Sequence, residues 1–292
     1  MNEIKQCPIC DQTAFTPFLK AVDYTVSKDT FSIVSCDNCG FHFTNPIPTI
    51  DEIGAYYKSE DYVSHSSTNK GLINKLYQKV RKRTLKQKVK LVNRVGNGKA
   101  VLDIGAGTGH FLNACKLAGL NTLGLEPDED ARKFAAENFD VNMQTLDQLH
   151  TLENESRDVI TMWHVLEHVY DLRKDLGKIT KVLKPDGKLI VAVPNMSSFD
   201  AKHYKEYWAA YDLPIHLYHF IPEDIKRLFE HYDMELEEMQ PMKFDAYYVS
   251  MLSEKYKGGN IVKAFWNGMR SNMKANNGTY SSQIYILKKK GV

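Results

Sequence analysis

The sequence predicts an α/β fold, a mostly parallel sheet layered with helices, preceded by a small cysteine-bearing module. Three observations carry that prediction. From Gly96 onward, β-like runs alternate with helical ones, the pattern of a parallel sheet with crossover helices. The run Val101-Leu102-Asp103-Ile104 leads into a glycine-rich turn, Gly105-Ala106-Gly107-Thr108-Gly109, and then into a helical run. Two C-x-x-C pairs, Cys7/Cys10 and Cys36/Cys39, lie near the N-terminus.

Taken in order, residues 1–48 hold the cysteine pairs and short β-like runs such as Phe31-Ser32-Ile33-Val34, and they end at Asn45-Pro46-Ile47-Pro48, a stiff linker by composition. Residues 49–95 read as a helical connector with a basic second half. Residues 96–292 form the main domain. Its first strand is 100–104, followed by a helix near 108–118. A second strand, 122–126, is followed by a helix over 128–138, and a short third strand lies near 141–143. The fourth strand is 158–163, followed by a helix over 171–183. Gly187 makes a turn into a fifth strand, Lys188 to Val193, apolar throughout as a strand covered on both faces should be. A helix over 222–231 opens with Pro222 and two acids at its positive end. Two further strands, near 234–240 and 280–288, fit as antiparallel edge strands.

Composition excludes several classes. A net charge of +2, 43% hydrophobic and 25% charged residues describe an ordinary soluble globular chain. No apolar run approaches the roughly 20 residues needed to span a bilayer, and residues 1–11 carry no apolar signal region. A cytoplasmic location is the expectation. In such a chain two C-x-x-C pairs favour metal over disulfides. Four thiolates make a closed tetrahedral site of the structural Zn2+ kind. The 25 residues between the pairs leave room for a hairpin. His42 is a possible substitute ligand, but Cys39 is simpler. The fifth cysteine, Cys115, falls in a helical run and reads as a core thiol.

The glycine turn indicates a ligand. Such a turn lets a ligand approach the backbone, because no Cβ stands in the way. Glu126, 23 positions after Asp103, ends the second strand, where an acid can accept both hydroxyls of a ribose. The third glycine comes one position early for a dinucleotide fingerprint. Asp103 would repel a pyrophosphate and suits an ammonium instead, as in the amino-acid portion of S-adenosylmethionine (SAM). A nicotinamide oxidoreductase is disfavoured on both counts.

At these residues the chain resembles the class I SAM-dependent methyltransferases, over about residues 96–290. The resemblance rests on LDIGAGTG at 102–109, LGLEPDED at 123–130, WHVLEHVYD at 163–171 and LKPDGKLIVAVPN at 183–195. It implies a Rossmann-like seven-stranded sheet with SAM above its carboxyl edge and S-adenosyl-L-homocysteine as product. Carried over residue by residue, Asp103, Gly105, Ala106 and Gly107 line the amino-acid end of SAM. Glu126 holds the ribose and Pro127 packs by the adenine. Thr145 and Leu146 fall where the family often has an acid for the adenine amine; this chain has none at 145, leaving the contact to the Leu146 backbone or to Asp147. Trp163 and His164 lie beside the methyl group. The run from Glu167 to Asp171 is similar to the branch of ubiquinone-type O-methyltransferases and small-molecule methyltransferases. Similar N-terminal ribbons precede a subset of methyltransferases of sugar and polysaccharide biosynthesis, which implies that the module shapes the substrate pocket.

Methyl transfer needs alignment above all, because the sulfonium already activates the methyl. A hydroxyl or amine acceptor also needs a base near working pH. His168, just past the fourth strand, is one candidate, with Glu167 to orient a histidine or to hold a metal or substrate hydroxyl. His216, in the segment Asp212 to Phe220 after the fifth strand, is the other. His168 also reads plainly as a histidine capping the following helix, and His216 as a residue whose hydrogen bond fixes its loop. The insertion over about 195–221 supplies candidate substrate contacts: Asn195, Tyr204, Trp208, Tyr211 and His219. Residues 70–94 carry ten Lys or Arg and no acid, with an apolar stripe at Leu72, Leu76, Val80, Leu85, Val89 and Val92. The stripe fits a packed helix, and its basic face offers an anionic ligand or a membrane surface; nucleic acid ranks last. The reading is a methyltransferase acting on a small molecule, at oxygen of a sugar, a glycolipid headgroup or an aromatic hydroxyl. Its rivals are an RNA or protein methyltransferase and a non-catalytic SAM-binding scaffold.

Overall fold

The structure, a computed structural model, describes residues 1–57, 72–276 and 278–291, with side chains in the helix that begins at Leu72 described from Val80. The larger sheet has seven strands, built from β4 (Ala100–Ile104), β5 (Asn121–Leu125), β6 (Met143–Gln144), β7 (Arg157–Trp163), β8 (Leu183–Pro194), β10 (Met234–Pro241) and β11 (Ser282–Lys289). Their order is β10-β11-β8-β7-β4-β5-β6. The five strands β4 to β8 are parallel, and β11 runs antiparallel to both β8 and β10. The chain moves outward from β4 to β6, then returns to the other side of β4 as β7. That reversal opens a crevice at the carboxyl ends of β4 and β7, where ligands of open α/β sheets bind.

Helices cover both faces. In chain order they are α1 (Ile50–Ile53), α2 (Leu72–Val95), α3 (His110–Leu117), α4 (Glu129–Phe139), α5 (Leu172–Val182), α6 (Phe199–Tyr204), α7 (Pro222–Glu230), α8 (Asp245–Lys257) and α9 (Ile261–Lys274). Local chemistry explains their starts. Asp128 and Asp171 cap α4 and α5 by accepting from Ala131 N and Lys174 N, the usual means of satisfying first-turn donors. Leu91 and Val92 of α2 bury against Val101, Val159 and Ile190, with Leu85 and Val89 packed beside them. The apolar stripe of the basic helix is therefore a packing face; its positions Leu72 and Leu76 lie outside the described side chains.

Two boundaries differ from expectation. The third strand is two residues long and begins at Met143. Strand β8 begins at Leu183, because the Lys184–Gly187 segment is absorbed as a register shift: Arg157 pairs with Leu183 but Val159 with Lys188. The hairpin of α8 and α9 has no counterpart in the sequence reading.

The N-terminal segment forms a second sheet of β1 (Phe15–Val22), β2 (Thr30–Cys36), β3 (His42–Thr44) and β9 (Tyr218–His219), in that order. Strand β9 comes from the insertion of the main domain, pairing His42 with His219. Phe41 and Phe43 share one apolar cluster with Leu102, Ile104 and Val191. The Asn45–Pro48 stretch is packed, not a free linker: Asn2 and Ile47 exchange backbone hydrogen bonds at 2.6 and 2.9 Å, and Ile4 N donates to Asn45 Oδ1.

Candidate functional site

The cofactor side starts from the turn after β4. Gly105, Gly107 and Gly109 all have positive φ, which side chains rarely adopt. A Cβ at Gly105 would stand 2.4 Å from Val165 Cγ2, whereas at Gly107 it would point into open space. That open space beside the loop is where a ligand fits against backbone. Ala106 is buried beneath the turn. Asp103 is buried and accepts the Thr161 hydroxyl at 2.5 Å; burial pushes its carboxyl up to about 7. Glu126 ends β5 buried, with its carboxylate accepting Gly107 N at 2.7 Å and Asp128 N at 3.0 Å. Burial raises its pKa also. Pro127 is exposed beside it, and Thr145 and Leu146 are half-buried at the start of a short 3-10 turn.

Lys88 of α2 was not foreseen here. Its ammonium lies 4.1 Å over the Trp163 ring and is coupled electrostatically to Asp103 and Asp245. Burial lowers its pKa. Trp163 Nε1 is buried without a partner. An acid, a cation and a donor left without a partner among the described residues, all close to one another, suit a zwitterionic amino-acid group such as that of SAM.

The acceptor side is assembled from separate segments. His164 follows β7 with a φ of 58°, which turns its ring between two carboxylates. It sits 3.3 Å from Glu167 Oε1 and 3.0 Å from Asp245 Oδ2. Burial would lower its pKa, but those two acids hold it up at about 10. Glu167 is fully buried, and among the described residues its Oε2 has no partner. Burial would raise its pKa, yet His164 outweighs that and keeps it low. His168 Nδ1 donates to the Ile215 carbonyl at 2.9 Å, with the Tyr57 hydroxyl 3.1 Å away. His216 Nδ1 donates to the Ala210 carbonyl at 2.9 Å. The two rings meet edge to face at 4.6 Å. Burial pushes both pKa values down, that of His168 to about 4. At neutral pH the cluster holds the carboxylates of Glu167 and Asp245, the imidazolium of His164 between them, and two neutral imidazoles. Glu167, His168 and His216 bring one donor atom each within 4.8 Å of one another, so they can take up a proton or a cation.

The expected substrate contacts from the insertion behave otherwise. Asn195 is fully buried and its amide is consumed: Nδ2 donates to the Gly278 and Tyr280 carbonyls, and Oδ1 accepts from Ser197. The Tyr204 hydroxyl donates to Glu254 and accepts from Asn267. Trp208 Nε1 donates to Asp200 at 2.8 Å. His219 lies 3.1 Å from Thr44 Oγ1, whose own proton goes to the His216 carbonyl, so His219 Nε2 is the donor. Tyr211 packs edge-on against Trp208 and His219. All five are buried and hold the insertion together, and the polar groups of the first four are already spoken for. Two residues missed by the sequence reading do reach the site: Asp245, from an unassigned segment, and Tyr57. The run of charge around Lys88 was visible, but nothing in it marked one lysine as turned inward.

The four cysteines of the N-terminal module converge. Cys7 and Cys39 sulfurs are 3.6 Å apart, Cys10 and Cys36 sulfurs 3.5 Å, and all four lie within 4.8 Å of one another. A ZnS4 tetrahedron with bonds of about 2.3 Å has an edge of ~3.8 Å. Each pair forms the same knuckle. Asp11 N donates to the Cys7 carbonyl and Gly40 N to the Cys36 carbonyl, and both Asp11 and Gly40 have positive φ. Burial pushes the Cys7 thiol well up, while backbone and side-chain donors, Gln12 foremost, outweigh burial at Cys10 and bring it to about 6. Arginines of the main domain pin the knuckles: Arg173 pairs with Asp11 at 2.8 Å, and Arg227 donates to the Cys39 carbonyl at 2.7 Å.

Comparison with known proteins agrees with this architecture. The profile of a family described as a methyltransferase domain matches residues 77–239. A ubiquinone biosynthesis O-methyltransferase of Actinobacillus pleuropneumoniae is 37% identical over 109 residues, 34% of this chain and 47% of that protein. Its namesake in Erwinia tasmaniensis is 34% identical over 108 residues, 35% of this chain and 44% of that protein. The chain thus spans about half the length of the curated relatives it matches. Among solved structures, the magnesium protoporphyrin IX methyltransferase of Synechocystis PCC 6803 with bound S-adenosylhomocysteine gives a TM-score of 0.53 at 15% identity, covering 80% of this chain and 97% of that one. A phosphoethanolamine N-methyltransferase 2 of Haemonchus contortus gives 0.50 at 17% identity, covering 70% and 52%. These two speak for the fold alone. The family match spans more than half of the chain, so this chain belongs to the methyltransferase-domain family, on a seven-stranded sheet like that of SAM-dependent methyltransferases.

Proposed function

We propose that the enzyme methylates a hydroxyl of a small-molecule acceptor, with Glu167 as the group that receives the hydroxyl proton. The observation that carries this reading is the orphaned Oε2 of a fully buried, ionised Glu167 beside the carboxyl end of β7. A buried carboxylate oxygen without a donor is costly; an acceptor O–H relieves that cost. His168 and His216, neutral and proton-poor, extend the same proton-accepting surface. His164 positions Glu167 and keeps it charged, and Asp245 holds His164 from the other side. Relatives named for O-methylation at about 35% identity agree with oxygen as the attacked atom. A sugar, glycolipid headgroup or aromatic hydroxyl each presents such a group.

SAM, when bound, supplies an activated methyl. The chain's part is to hold and align it. Asp103 takes its ammonium, Lys88 its carboxylate and Glu126 its ribose, with Gly105 and Gly107 letting it lie against backbone. Because Lys88 turns inward, part of the basic run serves the site, which weakens an RNA-binding reading. The exposed cations Lys82, Arg83, Lys86 and Lys90 are left for an anionic ligand or membrane surface. Cys7, Cys10, Cys36 and Cys39 hold a structural Zn2+; their near-tetrahedral spacing and paired knuckles support that assignment.

The test is an acceptor screen with purified, zinc-loaded enzyme, following S-adenosylhomocysteine release and locating the methyl by NMR. A methyl ether is the expected product, and Glu167→Gln should lower kcat by about 10²–10⁴-fold with SAM affinity unchanged. A methylated nitrogen or carbon, or a Glu167→Gln enzyme within about threefold of the parent, would overturn the reading.

A further inference from the structure

The α8–α9 hairpin is built inside out. The faces that pack inward carry small residues: Ala246, Ser250 and Ser253 from α8, and Ala264, Gly268 and Ser271 from α9. A Cβ at Gly268 would meet Tyr247 Cα at 2.9 Å, so the two helices approach closely. Helix α8 also buries Val249, with Leu252 and Tyr256 packed beside it, but on α9 the large apolar residues face outward. These are Ile261, Val262, Phe265, Trp266 and Met273, with Phe265 58%, Trp266 55% and Met273 74% exposed. Their spacing places Val262, Trp266 and Met273 on the side opposite Ala264 and Ser271, with Phe265 on the flank between. Phe244, just before α8, and Met251 on α8 are exposed as well. An exposed apolar patch of this kind marks a contact surface.

Charge identifies what the contact is. One flank of α9 carries Lys263, Arg270 and Lys274, at helical spacing; Arg270 and Lys274 reach over the Phe199 ring at 5.4 and 4.6 Å. Only two acids occur between residues 243 and 276, Asp245 and Glu254. Both are turned inward, Asp245 onto His164 and Glu254 onto Tyr204 and Asn267. The outward surface of the hairpin is therefore aromatic and aliphatic with a cationic edge and no acid of its own. A second copy across a two-fold axis would set this cationic edge against the same kind of surface, without a compensating carboxylate. Anionic lipid headgroups match it: aromatic and aliphatic residues enter the interface while Lys and Arg meet phosphates. Among the described residues no helix is long and apolar enough to cross a membrane, so the contact is with a surface.

We infer that the α8–α9 hairpin docks this enzyme on an anionic phospholipid surface, with Phe265 and Trp266 in the interface and Lys263, Arg270 and Lys274 on the headgroups. Asp245 opens the same hairpin, so docking brings the acceptor side of the site against the bilayer. The inference does not depend on which atom is methylated, and its readout needs no turnover.

The experiment is co-sedimentation of the full chain with vesicles of phosphatidylcholine alone or with 30 mol% phosphatidylglycerol, at 0.1 and 0.5 M NaCl. Trp266 is the exposed one of three tryptophans, so brominated lipid should quench it. Binding to anionic vesicles is expected, with quenching, and should weaken at least tenfold at high salt. Lys263→Gln/Arg270→Gln/Lys274→Gln should weaken it on the order of a hundredfold. Phe265→Ser/Trp266→Ser should abolish it while leaving SAM binding and the melting transition near the parent's, which separates this outcome from misfolding. No binding to anionic vesicles by folded, SAM-binding protein would overturn the inference. So would a stable dimer in sedimentation velocity that Trp266→Ser dissolves, since the patch would then be covered by a second copy.

Discussion

The two sides of the site are built on different length scales. On the cofactor side Asp103, the glycine turn and Glu126 belong to one strand-turn-helix-strand unit spanning residues 103–126. On the acceptor side His164, Glu167 and His168 follow β7, His216 comes from the insertion, Asp245 from α8 and Tyr57 from the connector. The cofactor side is fixed by turn chemistry and adjacent parallel strands. The acceptor side depends on every segment that delivers a residue. It depends also on the cysteine module, because β3 pairs with β9, Thr44 bonds to His216 and His219, and Leu217 N donates to the Glu167 carbonyl. Damage far from the chemistry should therefore reach one side and spare the other.

Removal of the zinc proposed for Cys7, Cys10, Cys36 and Cys39 is the strongest way to break that comparison. A metal-bound module this small draws much of its folding free energy from the metal. Chelation, or Cys36→Ser, should release β3 and with it the backing of β9. The insertion then loses its register beneath His216. Methyl transfer should fall by about 10²-fold or more, the cost of a small misplacement at the reacting centre. SAM affinity, measured by calorimetry, should change less than about threefold. A parallel collapse of both would show that the cofactor side is not self-sufficient.

Asp103→Asn probes the opposite side. If Asp103 takes the ammonium of SAM, loss of a charged partner costs about 1.5–3 kcal/mol, or roughly 10–150-fold in affinity. Thr161 would still be satisfied by the amide oxygen, so the fold should persist. Turnover at saturating SAM should stay near that of the parent, because Glu167 and its histidines are untouched. An unchanged dissociation constant would move the ammonium contact to another group.

The same difference in length scale governs what the sequence discloses. The β4 turn and Glu126 are legible because strand, glycine and acid occur at a fixed separation and need no tertiary information. The two C-x-x-C pairs are legible for a like reason, since each knuckle is a local turn. The acceptor side resists such reading. His168 and His216 stand out as histidines near expected loops, yet Asp245 sits in a hairpin that the sequence reading left unassigned, and nothing local marks it as a partner of His164. Tyr204 and Trp208 look like a substrate cover because aromatic residues cluster in sequence. In the fold their polar atoms go to Glu254, Asn267 and Asp200, which lock the insertion onto α8 and α9. Sequence clustering says that aromatics are near one another, not which way they face.

The smallest effect tests whether the acceptor side is held by charge or only by packing. His164 sits at about 10 in the folded chain, against roughly 6.5 for a free imidazole. A histidine raised by folding contributes fully below pH 6.5, where the unfolded chain also binds the proton, and that contribution is lost as pH rises through 10. The His164 side chain is about a third exposed, so solvent screening reduces the ion pair to ~1 kcal/mol. Asp245→Asn should then lower Tm at pH 7 by about 2–4 °C, and the gap to the parent should close above pH 10. Thermal scans from pH 6 to pH 11 decide the matter. A gap that stays constant with pH would mean that Asp245 acts by fixing the first turn of α8, and the charge on His164 would then rest on Glu167 alone.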